Sequence, residues 1–145
     1  MGHTEVVKSL YKKFEQDIVP LRNGWTPIML SVAPKSGNLE LFKFLASKIT
    51  QGSPNDSYAN GWTPMHEAAQ NGHTEIVSYL TTILEFPNCQ RIHTSGKETP
   101  IFLATTKDNW EIVKILFPHA ENISVIKEVA MMTNSSNVLK FLDTI

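Results

Sequence analysis

Apolar residues recur along this chain in short paired runs at helical spacing. Ile76, Val77, Leu80 and Leu84 form one stripe, the three- and four-residue recurrence that marks the buried face of a helix. Ahead of it, Met65, Ala68 and Ala69 give a shorter helix a small apolar face that permits close packing. Asn71-Gly72 separates the two, with Gly72 the expected left-handed cap. Upstream, Asn60-Gly61 is a turn dipeptide, since both residues tolerate positive φ. Thr63 is placed as an N-cap whose hydroxyl accepts a free first-turn N–H, and Pro64 follows where its missing N–H costs nothing. Glu75 lies in the first turn of the second helix, where the helix dipole favours an anion. The stretch from Asn60 to Leu80 therefore predicts turn, short helix, glycine stop, second helix.

The same unit recurs on either side. Asn23-Gly24-Trp25-Thr26-Pro27 opens an earlier copy and Gly96-Lys97-Glu98-Thr99-Pro100 a later one, with Thr26, Thr63 and Thr99 spaced by 37 and 36 residues. The earlier copy has Met29 where the central one has His66 and two extra residues around Ala33-Pro34-Lys35-Ser36, which predicts a longer, proline-marked turn. Leu41, Phe42, Leu45 and Ile49 are its second stripe. In the later copy Phe102 replaces the histidine and Asp108 the stop glycine, which predicts a looser or strained corner. Ile112, Val113 and Leu116 continue the pattern. Gly2-His3-Thr4-Glu5-Val6-Val7 copies Gly72-His73-Thr74-Glu75-Ile76-Val77, so the chain opens on a second helix without its turn and first helix. That predicts a fragment of a longer array or an improvised cap, because stacked arrays normally end in polar units. The last unit, with a first helix over 123–133 and a stripe of Val138, Leu139 and Leu142, lacks any Gly-x-Thr-Pro and reads as a shortened cap.

Thr63-Pro64-Met65-His66-Glu67-Ala68 and Gly72-His73-Thr74-Glu75-Ile76-Val77 resemble an ankyrin repeat, with Met65 for the usual Leu of Thr-Pro-Leu-His-x-Ala; the spacings here exceed the family's usual period of about 33. The resemblance is strong from Asn23 to Leu116 and weak at both ends. It implies an all-α fold: a solenoid of stacked helix-turn-helix units with short β-turn or hairpin tips. The expected division of the single domain is a half repeat at 1–21, repeats at 22–57, 58–93 and 94–121, and a degenerate capping repeat at 122–145.

Composition narrows the function. A formal charge of −1 over 145 residues argues against an extended phosphate-binding surface, so no nucleic acid is expected. The lone cysteine, Cys89, excludes an internal disulfide and a multi-cysteine zinc site, and its connector setting offers nothing to lower a thiol pKa. Nothing at the N-terminus resembles a signal peptide, Val6 stands where a myristoylation signal needs Ser or Thr, and no apolar run would span a bilayer. An intracellular, cytoplasmic protein is expected. The five histidines show no metal-ligand spacing; His66 and His73 occupy repeat positions, His66 being expected to hydrogen-bond near neighbouring turns. There is no nucleophile elbow, phosphate loop or His-Glu-x-x-His helix. No catalytic residue, cofactor or metal is expected, and the chain is not read as an enzyme. Three sequons, at Asn55, Asn122 and Asn134, are read as chance without a secretory route. The resemblance also brings in hydroxylation of connector asparagines, for which Asn55 and Asn88 are placed, beside the plainer reading of turn-forming residues.

What the resemblance implies for binding is a concave strip made of turn tips and the outward side of the first helices. The residues that map there are Arg22, Asn23, Trp25, Asn60 and Trp62, then Glu67, Gln70 and Asn71, then Lys97, Glu98, Thr106 and Lys107. Trp25 and Trp62 share one tip position and are expected side by side, either as partner anchors or lying on neighbouring turns. Truncation of Trp62 is expected to weaken partner capture with little effect on folding. The leading function is a non-catalytic protein-protein interaction module, a scaffold or adaptor. The alternative is a structural or regulatory segment of a larger protein, docking on an attached domain. A monomer is expected, with self-association through the truncated N-terminal edge as the other possibility.

Overall fold

The structure, a computed structural model, describes residues 3–14, 27–33, 37–49, 57, 59–83, 96 and 98–145. Helices α1 (His3–Phe14), α2 (Pro27–Leu30), α3 (Leu39–Ala46), α4 (Pro64–Asn71) and α5 (Thr74–Ile83) are followed by α6 (Pro100–Thr106), α7 (Trp110–Leu116), α8 (Ile123–Met132) and α9 (Ser136–Leu142). No strand occurs among the described residues. The short helices stack α2 on α4, α4 on α6 and α6 on α8; behind them α1, α3, α5, α7 and α9 form a second row, each against the next.

The stripes read from the sequence are the seams between rows. Phe42 and Leu45, Ile76, Val77 and Leu80, Ile112, Val113 and Leu116, and Val138 and Leu142 are all buried. From the front row they meet Met29, Met65, Ala68, Ala69, Ile101, Ala104, Ile126 and Ala130 in one continuous cluster. Ala68, Ala104 and Ala130 are fully buried; a small side chain at this register is what lets adjacent helices approach. Val6, aligned with the buried Ile76, is exposed, because no described residue covers that face of α1. Lys8 instead ties α1 to the next unit through Glu40, with Glu5 as a second partner. The hydrogen bond that Lys8 donates to the Glu40 carboxylate holds the ammonium pKa above its ordinary value.

The start and stop signals act as expected in the central unit. Asn60 and Gly61 have φ of 68° and 76°, the double positive-φ turn that favours these residue types. Thr63 is the N-cap of α4, Pro64 opens the helix, and Gly72 closes it at φ 78°. In the later unit Asp108 takes the stop position at φ 56°, and in the last unit Asn134 does so at φ 54°. The corner at Asp108 is not loose. Its carboxylate accepts from the backbone N–H of Asn137 (2.9 Å) and Val138 (3.0 Å) and from Asn137 Nδ2 (2.7 Å), so it caps α9 of the following unit. The turn expected around Ala33 begins at Ser31–Ala33; residues 34–36 lie outside the described residues.

Candidate functional site

His66 is fully buried and joins two units. Its Nδ1 accepts the backbone N–H of Thr63 at 3.2 Å, closing a capping box with the Thr63 hydroxyl. A ring nitrogen that accepts carries no proton, so Nε2 is the protonated one; it donates to the Glu98 carbonyl of the next tip at 3.2 Å. The expected cross-turn role is therefore what the structure shows.

A second set of bonds runs along the helix ends. His73 Nε2 lies 3.2 Å from the Ala33 carbonyl, Asn109 Nδ2 donates to Ala69 O at 3.2 Å, and Ser135 Oγ donates to Thr105 O at 2.6 Å. In each case the residue after a stop reaches back to the end of the preceding front helix. Asn122, one of the sequon asparagines, caps α8 by accepting from Val125 N at 3.3 Å.

The residues expected to meet a partner divide into three groups. Asn60 and Lys107 are exposed, and Gln70, Asn71, Glu98 and Thr106 are half-buried. Arg22, Asn23, Trp25 and Lys97 lie outside the described residues, as do Cys89, Asn55 and Asn88, so the expected pairing of Trp25 with Trp62 is not described. Glu67 departs from expectation. It is only 7% exposed, and its two oxygens accept from Trp62 Nε1 and from Asn71 Nδ2, both at 2.8 Å. The groove-facing carboxylate is thus a buried acceptor between two neutral donors. Asn71 also reaches the Val32 carbonyl at 3.3 Å, which carries the network into the preceding unit. Trp62 is half-buried, with its ring 5.5 Å from that of His66 at 30°. Truncating it would remove the bond to Glu67 and the ring contact with His66. The Glu67–Asn71 link was readable as a helical i,i+4 pair. The Trp62 bond was not, because a side chain ahead of the N-cap has no fixed direction in the helical register.

The described residues contain no group of three or more His, Cys, Asp or Glu side chains able to hold a metal ion, and no helix among them is long and apolar enough to cross a membrane. A cavity of about 220 Å³ lies between α6 and α8.

Paired antiparallel helices stacked in two rows, with glycine-type stops and cross-unit histidine bonds, define a helical repeat solenoid. The family model described as ankyrin repeats, in three copies, matches residues 1–85 and 30–127, and the chain belongs to the ankyrin-repeat family. Ankyrin repeats generally mediate protein-protein interaction and are typically non-catalytic. The chain is also similar to a Dictyostelium discoideum protein named NAD-dependent deacetylase sir2B, at 27% identity over 115 residues, which is 79% of this chain and 14% of that protein. The chain thus spans about a seventh of the length of that relative.

Proposed function

We propose that this chain is a non-catalytic interaction module, a cytoplasmic scaffold or adaptor that holds a protein partner along its front row and tips. The observation that carries the reading is the locking of that row: His66 to Glu98, Asn71 to Val32 and Asn109 to Ala69 tie consecutive units. A strip fixed before association loses little conformational entropy on binding. The contact residues on this reading are Asn60, Gln70, Asn71, Glu98, Thr106 and Lys107, the exposed part of Trp62, and by register Arg22, Asn23, Trp25 and Lys97. Glu67 acts behind them by holding Trp62 and Asn71.

The test is capture of partners from a lysate of the source cells by the wild type and by a Gln70→Lys, Lys107→Glu double variant. Both side chains reach solvent, so the fold survives. The expected result is loss of a captured protein by about tenfold, or about 1.4 kcal/mol. Identical capture by both chains would sink the assignment. A second reading, a regulatory segment docking on an attached domain, is favoured by the small share of its longer relative that the chain matches. On that reading the captured protein is another segment of the same parent chain.

A further inference from the structure

The back row carries a charge pattern that breaks between α7 and α9. Lys8, Lys43, Ser78, Lys114 and Lys140 share one register, two residues beyond the first apolar residue of each stripe. Glu5, Glu40, Glu75, Glu111 and Asn137 share another, one residue before it. At the first step the lysine reaches the glutamate of the next unit, Lys8 to Glu40. At the second, Lys43 lies over the Tyr79 ring, 4.9 Å from its centroid. Between α7 and α9 the glutamate position holds Asn137, whose amide donates to Asp108. Lys114 thus has a neutral residue at the register where Lys8 has a carboxylate. Lys140 has Asn137 three residues before it and Asp143 three after, and Asp143 pairs with Lys127. Among the described residues the ion pairs join Lys8 to Glu5 and Glu40 and Lys127 to Asp143; neither Lys114 nor Lys140 takes part in one.

The same two lysines line a groove of about 600 Å³ between α7 and α9, together with Trp110 and Phe141, and no acidic residue lines it. The Phe141 ring is held edge-on by Phe117 at 5.6 Å, while Trp110 is 37% exposed. We propose that this groove docks an acidic peptide segment of a protein partner. In that segment Asp or Glu on either side of a large apolar residue pairs with Lys114 and Lys140, and the apolar residue packs on Trp110 and Phe141. The site lies on the back row and goes beyond the front-row reading. Two lysines without acidic partners set the sign of the occupant, because a cleft lined by one sign of charge concentrates the other. Exposed aromatics are the usual anchors of such interfaces. The seven residues of α9 rise roughly 10 Å at about 1.5 Å each, a length that about three extended residues cover. A free phosphate would use the lysines and leave both aromatics uncovered. A nucleic acid draws its affinity from many phosphate contacts, and the lining offers two cations.

The test titrates the isotope-labelled full chain with three blocked peptides, Gly-Glu-Phe-Glu-Gly, Gly-Lys-Phe-Lys-Gly and Gly-Glu-Ala-Glu-Gly, and with a single-stranded oligothymidylate, following amide and indole N–H signals by NMR. The glutamate-phenylalanine peptide is expected to give saturable shifts at residues 110–114 and 137–144 and at the Trp110 indole, and to bind about tenfold tighter than the other probes. Lys114→Gln with Lys140→Gln, both at exposed positions, abolishes the preference for glutamate flanks and leaves the melting temperature unchanged. Trp110→Thr, which copies Thr74 of the central unit, abolishes the preference for phenylalanine over alanine. Shifts lying elsewhere, or equal response to glutamate and lysine flanks, overturn the proposal. So do tighter binding of the oligothymidylate, which makes the groove a nucleic-acid surface, and concentration-dependent shifts without peptide, which make it an interface between copies of the chain.

Discussion

At the scale of single residues, His66 joins two units through one ring. It satisfies a cap N–H within its own unit and a carbonyl of the next, with no exposed surface. Replacing it by alanine removes both bonds and opens a void in a fully buried site, so His66→Ala is expected to cost about 3–5 kcal/mol. His66→Phe copies what the chain itself has at position 102. It keeps the volume but loses both bonds, and should cost about 1–3 kcal/mol, between wild type and alanine. Urea titration checks the order; a phenylalanine variant as stable as wild type would show that the two bonds contribute nothing net. The role of His66 was legible in the sequence because the Thr-Pro-x-His spacing places an imidazole over its own cap. The burial of Glu67 was not. Register alone puts it on the outward side of α4, and only the reach of the Trp62 indole and the Asn71 amide turns it inward.

At the scale of elements, the stops and the residues that follow them in the next unit fit one another in size. A Cβ built on Gly37 would stand 2.5 Å from the His73 ring, while one on Gly72 would meet Asn109 no closer than 3.4 Å. At Asp108 a real side chain is accommodated, where the following unit supplies the small Ser135. Gly37→Ala and Gly72→Ala share the penalty of a side chain at positive φ, about 1–2 kcal/mol. Only Gly37→Ala adds a clash with the neighbouring unit. Gly37→Ala is expected to be the more destabilising, and His73→Ser to recover part of that difference in a double-mutant cycle. Equal losses at the two glycines, or no coupling, would show that the imidazole swings away freely. Asp108 tests the opposite case. Asp108→Ala removes the acceptor of the Asn137 and Val138 N–H groups and should cost about 1–2 kcal/mol, seen as a lower thermal midpoint and faster amide exchange at Asn137 and Val138. The sequence marked Asp108 as a departure from glycine, but its capping partner lies in the next unit, at a distance that only the stacking sets.

At the scale of the whole molecule, the helical period and the stop signals made the two rows legible, while the extent of cover at each end was not. The same register position shows why. Ala69 and Thr105 are fully buried, and their counterpart Met131 is 62% exposed, because a following unit covers the first two and no described residue covers the third. Lys127, at the register of the buried Met65 and Ile101, is a polar substitution, and it pairs with Asp143 at 3.6 Å. Met131 did not follow that pattern. Identical substitutions at the two sites should therefore have unlike effects. Thr105→Glu forces a carboxylate into the seam against Ser135 and should cost several kcal/mol, enough to unfold at least the last two units. Met131→Glu alters a solvent-facing position and should stay within about 0.5 kcal/mol. Paired thermal melts decide between them. If Met131→Glu destabilised the chain as much as Thr105→Glu, the Met131 face of α8 would be covered in solution.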